Sequence, residues 1–202
     1  DHSKSQAIAN GLTAERLLAH VKAIHKVNDR MKGRIRLFAG CEVDILVDGR
    51  LDFEPEVLAE LDYVVASPHV SLKQDEGKAT DRLVRAIESR YVNVIGHPTG
   101  RLIDRRAGLP WRPDRVFQAA AATGTALEIN ASYPRLDLND AHARAAIGAG
   151  CVLSINTDAH SPDELDFMPY GVDVARRAWA TKANVINCFT LDELVQFIAR
   201  KR

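Results

Sequence analysis

The sequence predicts an α/β fold built on a parallel sheet and closed, wholly or in part, into a barrel. Three observations carry that expectation. Short apolar runs alternate with amphipathic helical patterns along the chain, as successive β/α units do. The runs are apolar at nearly every position, like strands buried on both faces. No glycine-rich phosphate fingerprint follows the first run, which disfavours a dinucleotide-binding sheet.

The elements follow in order. Thr13 stands where a helix cap belongs, ahead of Leu17, Leu18, Val21, Ile24 and Val27 on one face. Residues 35–41 form the first predicted strand, and a helix over 54–61 leads to a second strand at 63–66. A helix over 80–89 precedes a strand at 92–95. The next helix, 114–123, has Pro113 at its start and Gly124 at its end, before a strand at 126–129. Helix 140–148 ends among Gly148 and Gly150 and feeds a strand at 151–155. Pro162 marks another helix start, and a helical pattern over 172–181 comes before a sixth strand at 185–188 and a last helix at 191–200. The longest irregular stretches, 68–78, 98–113 and 131–138, each follow a strand.

A chain of 202 residues suits one large domain or two small ones, and no internal boundary is visible, so residues 1–202 are read as one domain. At 46% hydrophobic residues the chain is no disordered segment. Lys and Arg balance Asp and Glu, 27 against 27, so no net basic field attracts nucleic acid; a local basic patch would have to serve instead. Cys41, Cys151 and Cys188 lie far apart in apolar runs without CxxC spacing, which fits small core residues in a reducing compartment. No signal peptide and no apolar run of membrane-spanning length is present, and a cytoplasmic location is expected. The chain opens on Asp1-His2-Ser3-Lys4-Ser5 without an initiator Met, which fits a piece of something longer.

Polar residues cluster at one kind of place. Glu42 and Asp44 follow the first strand, His69 the second and His97 the third. The fourth contains Glu128 and ends in Asn130; the fifth runs into Asp158 and His160. In a barrel the carboxyl ends of the strands converge on one rim, where active sites form. A single histidine after a strand means little, but five such ligands after successive strands point to a metal centre. Mixed imidazole and carboxylate donors suit Zn²⁺, Mn²⁺ or Fe²⁺ better than Ca²⁺ or Mg²⁺. Such metals activate a water and clamp a phosphate oxygen. His20, His25 and His142 fall in helices, away from strand ends, and are expected to be structural or solvated. Arg101, Arg105 and Arg106 follow His97, Arg135 sits in the next loop and Lys4 near the start; arginine suits phosphate through paired hydrogen bonds. Arg101, nearest a metal-ligand candidate, is the first choice for that role.

Six segments together resemble the PHP (polymerase and histidinol phosphatase) domain: Asp1-His2-Ser3, Gly40-Cys41-Glu42-Val43-Asp44-Ile45-Leu46, Ala66-Ser67-Pro68-His69, Gly96-His97-Pro98-Thr99-Gly100-Arg101, Glu128-Ile129-Asn130-Ala131 and Asn156-Thr157-Asp158-Ala159-His160. The likeness is nearest to the form at the carboxyl end of bacterial and archaeal family X DNA polymerases and covers essentially the whole chain. It implies a distorted, TIM-like barrel of seven β/α units and a site for two to three divalent transition metals, Mn or Zn, with Fe a further candidate. By that pattern Glu42 bridges two metals, His69 and His97 complete the second, Asp158 serves the first, and His2 and His160 serve the third. Glu42, Asp158 and His160 would carry catalysis; Arg101, Lys4 and Asn130 would hold substrate. The implied activity is Mn²⁺-dependent 3′–5′ exonuclease action on a DNA 3′ end, with a metal-activated water attacking the terminal phosphodiester and a polymerase domain upstream in the parent chain. Other members are phosphatases of small phosphomonoesters.

The family begins with an Asp-Leu-His-x-His strand, which this chain lacks. The expectation is therefore a partial barrel of six strands, with Glu42, His69 and His97 as the one complete ligand set. A sheet edge left uncovered would invite a partner chain, a second copy included. A non-catalytic structural module is the remaining alternative, and no membrane partner is expected.

Overall fold

The computed structural model describes residues 1–5 and 10–201. Five strands form one sheet in the order β1-β2-β3-β4-β5, every neighbouring pair parallel. They are β1 (Gly40–Asp44), β2 (Tyr63–Ser67), β3 (Val94–Ile95), β4 (Ala126–Asn130) and β5 (Leu153–Asn156). The helices are α1 (Ala14–Met31), α2 (Pro55–Ala59), α3 (Glu76–Glu88), α4 (Pro113–Thr123), α5 (Asp140–Gly148), α6 (Met168–Arg177) and α7 (Leu191–Ala199). Thr13 caps α1 through its side chain, and Gly124 ends α4 in the left-handed conformation at φ +70°. The last helices begin where local chemistry permits: α6 follows a 3₁₀ turn at Pro162–Phe167, and Thr190 and Glu193 cap α7 reciprocally.

Strand geometry sends alternate side chains to opposite faces, and the two faces have different company. Cys41, Val43, Val64, Ala66, Ile95, Leu127, Ile129, Leu153 and Ile155 pack in one core cluster with Leu17 of α1, Leu83 of α3, Val116 of α4, Ala146 of α5 and Val174 of α6. The intervening residues Tyr63, Val65, Val94, Ala126 and Val152 pack in a second cluster with Phe197 and Ile198 of α7. This second face curls on itself. Tyr63 on β2 hydrogen-bonds Ser154 on β5, and Phe38, Gly40 and Tyr63 share a cavity of about 270 Å³ with Ser154 and Asn156. Lys201, just past α7, donates to the carbonyls of Ile87 and Val92 and to Thr125, tying the helix to the amino-terminal ends of β3 and β4.

Among the described residues five strands replace the six expected. The predicted strand at 35–41 begins only at Gly40, because the side-chain amide of Asn28 takes both backbone groups of Leu37 at 2.7 Å and Asp62 accepts from the Ala39 N–H. The run at 185–188 is no strand either. It forms a 3₁₀ turn, Ile186–Cys188, with one bridge from Val185 to Leu153, while the Asn187 amide pairs with both backbone groups of Ile155 at 2.8 Å. In both places a side-chain amide does what a strand ladder would do. Cys41 and Cys151 are buried as expected, but Cys188 is exposed on that turn. Opposite, the free edge of β1 is met by residues 1–3: Glu42 N donates to Asp1 O and Ser3 N to Glu42 O, both at 3.0 Å.

Gly96 sits on the curled face, where an added Cβ would meet Ser67 Oγ at 2.3 Å and Val65 Cγ1 at 2.9 Å. Gly96→Ala is therefore expected to lower stability by about 1–3 kcal/mol through overpacking. Phe197→Ala, which empties the second cluster, should cost about 3–5 kcal/mol. Urea unfolding followed by circular dichroism measures both; wild-type midpoints would contradict the packing described.

Candidate metal centre

The upper part of the curled face changes character. Below, Tyr63, Val65, Val94, Ala126 and Val152 are closed off by α7. Above, towards the carboxyl ends, the same face presents Glu42, Ser67, Gly96, Glu128, Asn130 and Asn156. Side chains from the loops beyond complete the rim.

Glu42 lies at its centre. Its Oε1 stands 3.2 Å from His69 Nε2 and 3.1 Å from His97 Nε2, and its Oε2 stands 3.6 Å from His2 Nδ1. The rings of His2 and His69 are 5.3 Å apart, those of His69 and His97 5.0 Å, and His160 stacks on His2 at 6.1 Å. Ligand atoms of His2, Glu42 and His69 lie within 4.8 Å of one another, the scale of a shared cation. Burial alone would raise the Glu42 carboxyl, but hydrogen bonds from His69 and His97 outweigh it and hold it far below the usual carboxylate range. For His69, burial is outweighed by Asp44 and Glu42, which push the imidazole up to about 9. Burial lowers His2, against the pull of Glu42.

Each ligand candidate is held from behind. The His2–Glu42 backbone bridge places His2, and the buried Asp44 carboxylate binds His69 Nδ1, turning Nε2 towards Glu42. Such carboxylate–imidazole pairs orient metal ligands. His97, at φ +24°, donates its backbone N–H to Glu128 Oε2 at 2.5 Å. Glu128 also accepts from Asn156 at 2.7 Å and Asn130 at 3.2 Å, and burial pushes its carboxyl up to about 7. Asp158, at φ +57°, takes a hydrogen bond from Asn130 at 3.1 Å and lies 3.3 Å from Arg135 Nε. His160 Nδ1 sits 2.7 Å from the Asp158 carbonyl, with the ring largely exposed. Non-glycine residues at positive φ are strained and gather at functional sites.

The donor set fits a divalent transition metal. The buried Nδ1 atoms of His2 and His97 make no hydrogen bond among the described residues, and imidazole with carboxylate is the ligand chemistry of such ions.

Two substrate-binding candidates have other employment. Arg101 donates to the carbonyls of Arg135 at 2.7 Å and Leu136 at 2.5 Å, so its guanidinium pins the 131–138 loop. Asn130 orients Asp158 and Glu128 rather than facing outward. Lys4 is exposed in the turn after Ser3. Outside the cluster, His20 pairs with Asp1, His25 with Asp62, and His142 packs against Trp111. Asp44 and Glu128 stand out in the sequence as carboxylates in or beside apolar strands, but their bracing roles depend on contacts between distant residues. Asp137 carried no signal; it is buried, and one carboxylate oxygen accepts from the Thr99 N–H and hydroxyl and from the Gly100 N–H, bracing the turn after His97.

No family model matches the chain. It is 45% identical over 200 residues to the DNA polymerase/3′-5′ exonuclease PolX of Bacillus subtilis, covering 99% of this chain and 35% of that protein. It is 27% identical over 191 residues to a probable phosphatase of Syntrophotalea carbinolica, covering 89% of this chain and 75% of the relative. A probable phosphatase of Caldanaerobacter subterraneus is 32% identical over 110 residues, 52% of this chain and 41% of its own length. The chain thus spans about a third of the polymerase relative's length and about three quarters of the first phosphatase's. The resemblance read from the motifs is borne out: over nearly its whole length the chain is similar to part of a DNA polymerase/3′-5′ exonuclease, and over most of it to a probable phosphatase.

Proposed function

We propose that residues 1–202 act as one PHP-type domain, a distorted barrel whose rim cleaves phosphoesters with the help of divalent metals, and that its substrate is a DNA 3′ end. The observation that carries this reading is Glu42, one carboxylate faced by three imidazoles. His2, Glu42, His69, His97, Asp158 and His160 would hold the metals, Mn²⁺ or Zn²⁺ by donor type, with Fe²⁺ also compatible. When bound, such ions lower the pKa of a water and offset the negative charge of the phosphate.

The chain's own groups do the rest. Glu42 and Asp158 set the negative charge that the cations need. Asp44 and Glu128 keep His69 and His97 in place. His160 has Nδ1 donating to the Asp158 carbonyl, which fixes the ring and leaves the Nε2 lone pair as the atom that would ligate a metal. Arg135 is better placed for phosphate than Arg101. It reaches Asp158, and its buried Nη1 has no hydrogen-bond partner among the described residues. Arg101 supports it by fixing the backbone of its loop.

The 45% identity to a polymerase/exonuclease favours a DNA end, cytoplasmic and joined to a polymerase domain in the parent protein. The probable phosphatases among the relatives favour a second reading, hydrolysis of a small phosphomonoester by the same rim. Incubation with Mn²⁺ and either labelled single-stranded DNA or a panel of phosphomonoesters separates the two. Stepwise shortening from the 3′ end, abolished by chelator, is the expected result. No transition metal retained and no hydrolysis of either substrate would sink both readings.

Two substitutions probe the parts. Asp44→Asn should weaken metal affinity about 10- to 100-fold by freeing the His69 ring, measured by metal titration. Arg135→Ala should slow cleavage about 100-fold or more, as loss of one charge-stabilising donor does, with metal content unchanged. A wild-type rate for Arg135→Ala would return the phosphate role to another residue.

A further inference from the structure

Beside the metal rim the surface is aromatic. Tyr133 lies in the loop after β4 and is 60% exposed; Tyr170, at the start of α6, is 49% exposed. Phe167, partly buried at the end of the 3₁₀ turn that follows His160, joins them: its ring is 5.4 Å from Tyr133 at 87° and 6.2 Å from Tyr170 at 40°. Leu165, 62% exposed, lies on the same 3₁₀ turn as Phe167. Single exposed apolar residues are ordinary; a contiguous group calls for an occupant.

The packing underneath holds this patch in place. Gly171 lies so close to the strand end that a Cβ there would meet Ile155 Cγ2 at 2.6 Å and Ala131 Cβ at 2.8 Å. Asn130 Oδ1 accepts from Ser132 N at 3.1 Å, and Arg101 grips the carbonyls of Arg135 and Leu136. The loop bearing Tyr133 is therefore fixed at both ends, and α6 is seated directly on it.

From this arrangement we infer that Tyr133, Phe167 and Tyr170 form a stacking platform for the unpaired bases of a single-stranded nucleic-acid end. The inference rests on the phosphoesterase reading of the rim and adds the substrate feature that the rim alone does not select. The turn that carries Phe167 also holds Asp163, Glu164 and Asp166, so this occupant is favoured by continuity with the rim through Arg135, whose Nη1 has no hydrogen-bond partner among the described residues. Arg135 carries its guanidinium to Asp158 only two residues from Tyr133, a span of at most about 7 Å. A phosphate held by Arg135 would thus place the neighbouring base within reach of the Tyr133 ring. An edge-to-face pair leaves at least one face of each ring uncovered by the other, and every base has a face to stack on it. A small phosphomonoester has no second base and would leave the patch unused.

Binding without turnover tests this. Fluorescence anisotropy in chelator compares a labelled oligothymidylate with an abasic oligomer of the same length and charge. Stacking should favour the base-bearing probe by about five- to a hundredfold. Tyr133→Ala with Tyr170→Ala should bring the two probes within about twofold of each other, and Tyr133→Trp should keep the preference, which also reports on folding. Equal affinity of the unsubstituted protein for both probes, or no binding to either, overturns the platform. A preference that survives the double substitution also overturns it, and leaves the patch to a protein partner. Mn²⁺-dependent hydrolysis of a phosphomonoester is scored separately, so loss of the platform and loss of the hydrolase reading give different results.

Discussion

Everything in this fold depends on one constraint: the curled face of the sheet must be dry at one end and polar at the other. Strand pleating gives each strand only two or three side chains on that face. At the amino-terminal ends those positions are Tyr63, Val65, Val94, Ala126 and Val152, sealed by Phe197 and Ile198. One pleat further along they are carboxylates and amides. Burying such groups costs several kcal/mol each unless they find partners. Glu42 finds imidazoles, and Asp44 finds His69 and the Ser5 hydroxyl. Glu128 finds the His97 backbone N–H and the amides of Asn156 and Asn130. The site's residues therefore stabilise one another's burial and cannot be exchanged singly.

The two central carboxyls are pushed in opposite directions, and the reason is who faces them. Glu42 meets side chains able to carry positive charge, and these outweigh its burial. Glu128 is more deeply buried, and burial prevails over the charge of His97 and the hydrogen bonds from Asn156 and the His97 N–H, raising it to about 7. Glu42 thus stands as the carboxylate among the imidazoles, and Glu128 braces His97 from behind. Environments that separate the ionisation of neighbouring acids also separate their roles.

Most of the candidate site was legible because its signal is local. A ligand just past a strand needs only the apolar run before it to be noticed, and Glu42, His69, His97, Asp158 and His160 all have one. What escaped depends on contacts between distant residues. Apolar composition marked 35–39 and 185–188 as strand, but Asn28 and Asn187 occupy the backbone groups a ladder would need. Proximity in sequence favoured Arg101 as the phosphate ligand, but the carbonyls it holds lie 34 and 35 residues away, on the loop that carries Arg135. Asp137 is likewise read only in three dimensions, through its bonds to the Thr99 and Gly100 amides.

The two halves of the rim come from opposite ends of the sheet. His2, Glu42, His69 and His97 belong to the β1–β3 side, whereas Asp158, His160 and Arg135 belong to the β4–β5 side. In a flat sheet, neighbouring strands lie about 4.8 Å apart, and β1 would stand four such spacings from β5. That distance is incompatible with the 6.1 Å between the His2 and His160 rings. The curl is thus a condition of the site, not a detail of its scaffold. The curl is in turn filled from below by α7, whose Phe197 and Ile198 pack against β3 and β4 and whose following Lys201 grips the bottom of the sheet. A packing contact at the amino-terminal ends of the strands thus supports the curl that brings the two halves of the rim together at their carboxyl ends.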